Sequence, residues 1–128
     1  MSETPLHKRL QIKPRQRIAV LNAPEGYLQA LGELPTQVTV LDQLSGEFDL
    51  IQAFFSERAQ LEKEALRLKR ALKPSGILWI SYPKLSSKAQ SDLSRDALWP
   101  ALAPAGFRPV AQIAVDETWS AVRFKPTT

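Results

Sequence analysis

Cysteine is absent from the 128-residue chain, so disulfides, thiolate nucleophiles and Cys-ligated zinc or iron–sulfur centres are excluded together. Any redox chemistry would need a borrowed cofactor. Histidine occurs once, as His7, and offers no Ser–His pair for nucleophilic catalysis. No stretch approaches the roughly 18 uninterrupted apolar residues of a membrane span, and residues 1–13 lack the apolar run of a secretory signal. A cytoplasmic protein with no membrane partner is the expectation.

What is present is ordinary for one globular domain: 44% hydrophobic and 23% charged residues in a chain long enough to bury its own core. The net charge of +4 has a location. Lys8, Arg9, Lys13, Arg15 and Arg17 against Glu3 carry all of it, and the remaining twelve basic and twelve acidic side chains cancel. A basic arm over residues 1–16 can meet phosphates, which raises nucleic acid as a partner. No aromatic residue interleaves with the cluster, so base stacking is not indicated, and a solvated terminus explains the charge equally well.

Strand and helix signals alternate along the rest. Residues 17–21 (RIAVL) form a short β-branched run ending at Asn22-Ala23-Pro24, which reads as a buried strand followed by a helix start at Pro24. A short helix over 25–34, a strand over 38–41 ending at Asp42, and a continuous apolar strand over 48–55 (FDLIQAFF) follow. Over 57–73, Leu61, Ala65, Leu68 and Leu72 recur at helical spacing, with cations crowding the final turns. Pro74-Ser75-Gly76 ends that helix before a strand over 77–81 (ILWIS). Residues 84–90 read as a loop and 92–103 as a helix interrupted by Pro100, and strands over 107–117 and 120–125 are joined too tightly to pair other than antiparallel. The fold class is therefore α/β, a single-domain three-layer sandwich of mostly parallel strands with a C-terminal antiparallel hairpin over residues 17–128.

The phrase Leu10-Gln11-Ile12-Lys13-Pro14-Arg15-Gln16 before RIAVL resembles the lead-in to the first strand of class I S-adenosylmethionine-dependent methyltransferases. Leu72-Lys73-Pro74-Ser75-Gly76 before ILWIS resembles that superfamily's turn into its fifth strand. Phe48-Asp49-Leu50 is similar to the start of the fourth, and Ala105-Gly106-Phe107 to the start of the sixth. Residues 22–27 (NAPEGY) and 116–124 (DETWSAVRF) are also similar to a small bacterial domain family with no agreed activity. The resemblance implies a shortened Rossmann-like fold with a ligand cleft at the strand ends. It places Asn22, Glu25, Gly26, Asp42 and Tyr82 around a cofactor, with Asp42 on ribose hydroxyls.

The departures bear on function. Of the glycine-rich loop after the superfamily's first strand only Gly26 is retained, Pro24 removes an N–H donor, and Glu25 puts a carboxylate where the cofactor's own carboxylate should lie. Pro24 also suits a first helical position, with Glu25 complementing the helix N-terminus. Only five residues separate Asp42 from the strand at Phe48, so strand 38–42 either runs parallel on a taut link or runs antiparallel.

Lys84, Asp116, Glu117, Trp119 and Ser120 complete the candidates for ligand or partner contacts at strand ends. A metal site would rest on carboxylates alone, and none is expected, since adjacent Asp116 and Glu117 point to opposite faces in strand geometry. Trp119 suits core capping or stacking on a ligand ring. The chain is accordingly read as a non-catalytic binding or regulatory module for a small molecule or protein partner, with no cofactor expected. The alternatives are an S-adenosylmethionine-dependent methyltransferase with an atypical cofactor loop, and a nucleic-acid-associated protein using the basic arm.

Overall fold

The apolar runs at 17–21, 48–55 and 77–81 leave no polar face for solvent, and each lies inside one sheet. The computed structural model describes residues 5–84 and 93–127. Its elements are α1 (Leu6–Arg9), β1 (Arg17–Leu21), α2 (Tyr27–Leu31), β2 (Thr39–Leu41), β3 (Phe48–Phe54), α3 (Arg58–Ala71), β4 (Leu72–Pro83) and α4 (Arg95–Leu102). A 3-10 turn (Ala103–Ala105), β5 (Phe107–Ala114) and β6 (Trp119–Pro126) complete the chain. Beyond Lys84, the loop expected over 84–90 lies outside the described residues.

The strand order is β2-β1-β3-β4-β6-β5. β1 pairs in parallel with both β2 and β3, and β3 with β4, whereas β6 runs antiparallel to β4 and to β5. The three apolar strands are central and parallel, as their composition requires. The open direction of the second strand resolves as parallel, with Arg17 opposite Thr39.

Helices cover both faces, giving three layers. On one face Leu61, Ala65 and Leu68 of α3 and Leu98 and Leu102 of α4 pack on Ile51, Ala53, Leu78 and Ile80. Each such leucine removed from water contributes about 1.5–3 kcal/mol. On the other face Leu10, Ile12, Tyr27 and Leu31 pack on Ile18, Val20, Leu50, Phe54 and Trp79. Part of the stretch expected as an arm thus enters the core: Leu10 is fully buried, and its carbonyl accepts the Trp79 indole N–H at 2.8 Å. A buried indole N–H needs an acceptor, and this one fastens the N-terminal segment to the sheet.

Several boundaries differ from the sequence expectation: the strand expected over 107–117 ends at Ala114, where Asp116 and Glu117 belong to the loop, and two others bear on the fold. β4 begins at Leu72, and Pro74-Ser75-Gly76 form an irregularity inside it, where pairing jumps from Phe48–Leu72 to Leu50–Ile77. Helix α2 starts at Tyr27 instead of Pro24 and holds only five residues, with Gly26 as its N-cap at φ 80°, ψ −1°. The Tyr27 N–H donates to the Pro24 carbonyl at 3.0 Å, so residues 24–27 form a type II turn whose third position requires φ > 0. Pro24 is therefore not the first helical residue, and Glu25 lies outside the first turn of α2.

Candidate functional site

β1 stops where Asn22 takes a left-handed backbone, φ 58°, which asparagine tolerates better than most residues. Its Nδ2 donates to the Phe54 carbonyl at 3.2 Å, fixing the end of β1 against the end of β3. The turn at 24–27 then folds back beside the end of β2, where Asp42 stands exposed. Between them opens a cleft of about 580 Å³ lined by Asn22, Pro24, Gly26, Tyr27, Gln29 and Asp42, among others. A second depression of about 210 Å³ lies beside α3 and is also lined by Asn22 and Asp42, together with Gln60, Glu64 and Arg67. Asn22 and Asp42 form the ridge between the two.

Three of the five expected cofactor residues, Asn22, Gly26 and Asp42, are thus brought together. Glu25 is exposed and does not line the cleft. Tyr82 is buried in the layer of α3 and α4, where its hydroxyl accepts from Gln112 Nε2 at 3.0 Å, on the opposite face from Tyr27. The remaining candidates gather at the same sheet edge. The Lys84 N–H donates to the Thr118 carbonyl at 2.8 Å. Asp116 Oδ1 accepts the N–H groups of Thr118 and Trp119 at 2.7 and 2.8 Å, which assigns this carboxylate to shaping the hairpin loop. Glu117 is exposed in that loop, and Ser120 is buried in β6.

Trp119 stands edge-on to Phe54 with ring centroids 5.0 Å apart, and Phe54 edge-on to Tyr27 at 4.7 Å. These T-shaped contacts make Trp119 part of the core cap. Among the described residues, no group of three or more His, Asp or Glu side chains is placed to hold a metal ion.

Sequence reasoning missed a buried polar chain behind the cleft. Tyr27 Oη donates to Gln52 Oε1 at 2.6 Å, and Gln52 Nε2 donates to Ser81 Oγ at 3.1 Å. Gln52 and Ser81 are 1% and 0% exposed. Burial pushes the Tyr27 phenol well above its ordinary value, outweighing the opposing effect of the bond to Gln52, so the hydroxyl stays protonated and donating. The signal was available, since Gln52 is the one polar residue between Leu50 and Phe55 and a central strand buries such a group only with partners.

No family model matches the chain, and no curated protein matches it in sequence. Solved structures do match in shape. A ribosomal protein L11 methylase from Lactobacillus delbrueckii subsp. bulgaricus superposes with a TM-score of 0.66 at 16% identity, over 96% of this chain and 75% of that one. A SAM-dependent methyltransferase from Aquifex aeolicus gives 0.63 at 18% identity, over 91% and 85%. A methyltransferase from Thermoplasma acidophilum, described as putative, gives 0.61 at 11% identity, over 99% and 76%. The chain has the Rossmann-like fold of class I S-adenosylmethionine-dependent methyltransferases, in shortened form.

Proposed function

We propose that the chain is a methyltransferase-fold binding module whose cleft takes a small neutral polar molecule without transferring a methyl group. The observation that carries this reading is the turn at 24–27. Pro24 offers no N–H, the Tyr27 N–H is committed to the Pro24 carbonyl, and α2 has only five residues to build a dipole. This turn and so short a helix stand where a glycine loop and a longer helix would hold the carboxylate of S-adenosylmethionine. Asn22 and Asp42 remain to hydrogen-bond a hydroxylated ligand such as a nucleoside. Because Asn22 and Asp42 do share the cleft, the second reading is a methyltransferase that holds its cofactor in an unorthodox way.

Calorimetry with adenosine and S-adenosylmethionine separates the two. The binding-module reading expects the methionine end to add nothing, so adenosine binds at least as well and perturbs the amide NMR signals of Asn22 and Asp42. An S-adenosylmethionine dissociation constant of tens of micromolar or tighter, about −6 kcal/mol, with adenosine at least about tenfold weaker, would overturn it.

A further inference from the structure

Cations are concentrated at one edge of the sheet, although Lys84 and Arg9 reach the other, through contacts to Thr118 and Ala114. Asp42, Asp116 and Glu117 stand at the C-terminal edge, where the cleft opens. The opposite edge, where the parallel strands begin, is basic, and its cations come from five separate segments. Lys13, Arg15 and Arg17 lead into β1, Lys69 and Arg70 end α3, and Lys73 opens β4. Arg108 begins β5 and Lys125 ends β6, and the antiparallel register sets these two directly opposite one another.

Like charges facing across a strand pair destabilise a sheet, so folding alone does not account for Arg108 beside Lys125. Both are exposed, and neither has an ion-pair partner among the described residues. The anions on this edge do little to balance them. Asp49 accepts the Arg17 N–H at 2.8 Å and pairs with Lys73 at 3.0 Å, leaving Glu47 exposed in the loop before β3 and Glu33 after α2.

Several cations are also held in place. Arg15 Nε donates to Gln37 Oε1 at 3.1 Å, Arg17 stacks 4.3 Å from the Phe48 ring centre, and Lys69 Nζ lies 5.8 Å from that of Phe107. Such anchoring lowers the entropy lost when a partner binds. Six strands span about 24 Å at ~4.8 Å spacing, the length of roughly seven base-pair steps. The aromatic rings of this edge, Phe48 and Phe107, are 0% and 1% exposed, so bases have nothing to stack on.

We infer that the N-terminal edge of the sheet, with Arg108 and Lys125 at its β5–β6 end, binds the phosphate backbone of double-stranded nucleic acid without reading sequence. This surface lies away from the cleft and does not depend on how the cleft is used. It differs from a basic arm in being assembled by the fold.

Fluorescence anisotropy with a 24-base-pair duplex between 50 and 200 mM salt tests it. About five phosphate contacts predict a slope of log affinity against log salt near −4 to −5. Lys125→Glu should weaken binding at least about fivefold and reduce the slope by about 1 or more. The same variant should melt at or above the wild-type temperature, because it turns a like-charged cross-strand pair into an opposite one. Lys63→Glu, an equal charge change in mid-α3, should leave binding within about twofold.

Equal weakening by Lys63→Glu, a slope shallower than −2, or no binding at 50 mM salt would overturn the assignment. So would poly-glutamate binding as tightly as the duplex, which would indicate an acidic protein partner. DNA and RNA duplexes should bind within about threefold of each other, and a preference above about tenfold would refute contact through phosphates alone.

Discussion

The chain Tyr27–Gln52–Ser81 makes a stability prediction whose sign distinguishes a coupled network from three independent polar groups. Gln52→Leu removes both hydrogen bonds and leaves the Tyr27 hydroxyl and Ser81 Oγ buried without them. Each orphaned group costs about 1–3 kcal/mol, and the new apolar side chain recovers roughly 1, for a net loss of about 3 kcal/mol. Tyr27→Phe removes one bond and strands Gln52 Oε1, a loss of about 2 kcal/mol. In the double variant the phenol is gone and only Ser81 is orphaned, so the loss falls to about 1.5 kcal/mol.

Adding leucine and phenylalanine together should therefore be less harmful than adding leucine alone, with a coupling of roughly 3.5 kcal/mol. Urea unfolding followed by tryptophan fluorescence measures all four corners of the cycle, and unchanged m-values would show that the denatured state is not responsible. A total loss of about 5 kcal/mol remains within the stability of many domains, so each variant can be measured. Additive losses, with the double variant near that total, would refute the coupling and the geometry behind it.

Two further outcomes are expected. Burial raises the Asp49 carboxyl, but the Arg17 N–H and Lys73 outweigh it and hold the group below its ordinary 3.8. Asp49→Asn should thus cost about 1 kcal/mol at neutral pH, and denaturant melts should show the difference fading as pH falls through the lowered value; a pH-independent loss would exclude the charge as its cause. Glu25→Gln should change stability by less than about 0.5 kcal/mol at any salt concentration, because Glu25 is exposed and outside the first turn of α2. A loss of about 0.5–1 kcal/mol that high salt abolishes would restore the helix-terminus role expected from the sequence.

Where one physical signal dominates, the sequence was sufficient. The runs at β1, β3 and β4 admit no solvent face, and the spacing of Leu61, Ala65 and Leu68 fixes the buried side of α3. The turn at 24–27 is ambiguous in the sequence, because Pro24 and an acid after it suit a helix start as well as a reverse turn. Gly26 decided between them, since φ 80° is the conformation that a type II turn demands at that position. Burial of Leu10 was not legible, because its partner Trp79 is 69 residues away and local pattern says nothing about such pairings. Tyr82 was assigned to the cleft by its nearness to a strand end. Strand alternation, which puts it with Leu78 and Ile80 and opposite Trp79, assigns it to the other layer.

The short link from Asp42 to Phe48 has the largest consequence for the site. β2 and β3 lie on opposite sides of β1, so the link crosses the end and one face of that strand, and Leu44 packs against the α3-side core on the way. Two strand spacings and the short length of β2 are within reach of six residues, which permits the parallel direction and keeps Asp42 at the ligand edge. The link leaves no room for the further strand and two helices that the superfamily inserts at this point. β2 is consequently an edge strand of only three residues, too short to invite much pairing. Asn22 and Asp42 are likewise open to depressions on both sides instead of walled into one pocket. A ligand there would bury little surface, so any affinity at this edge is expected to be weak.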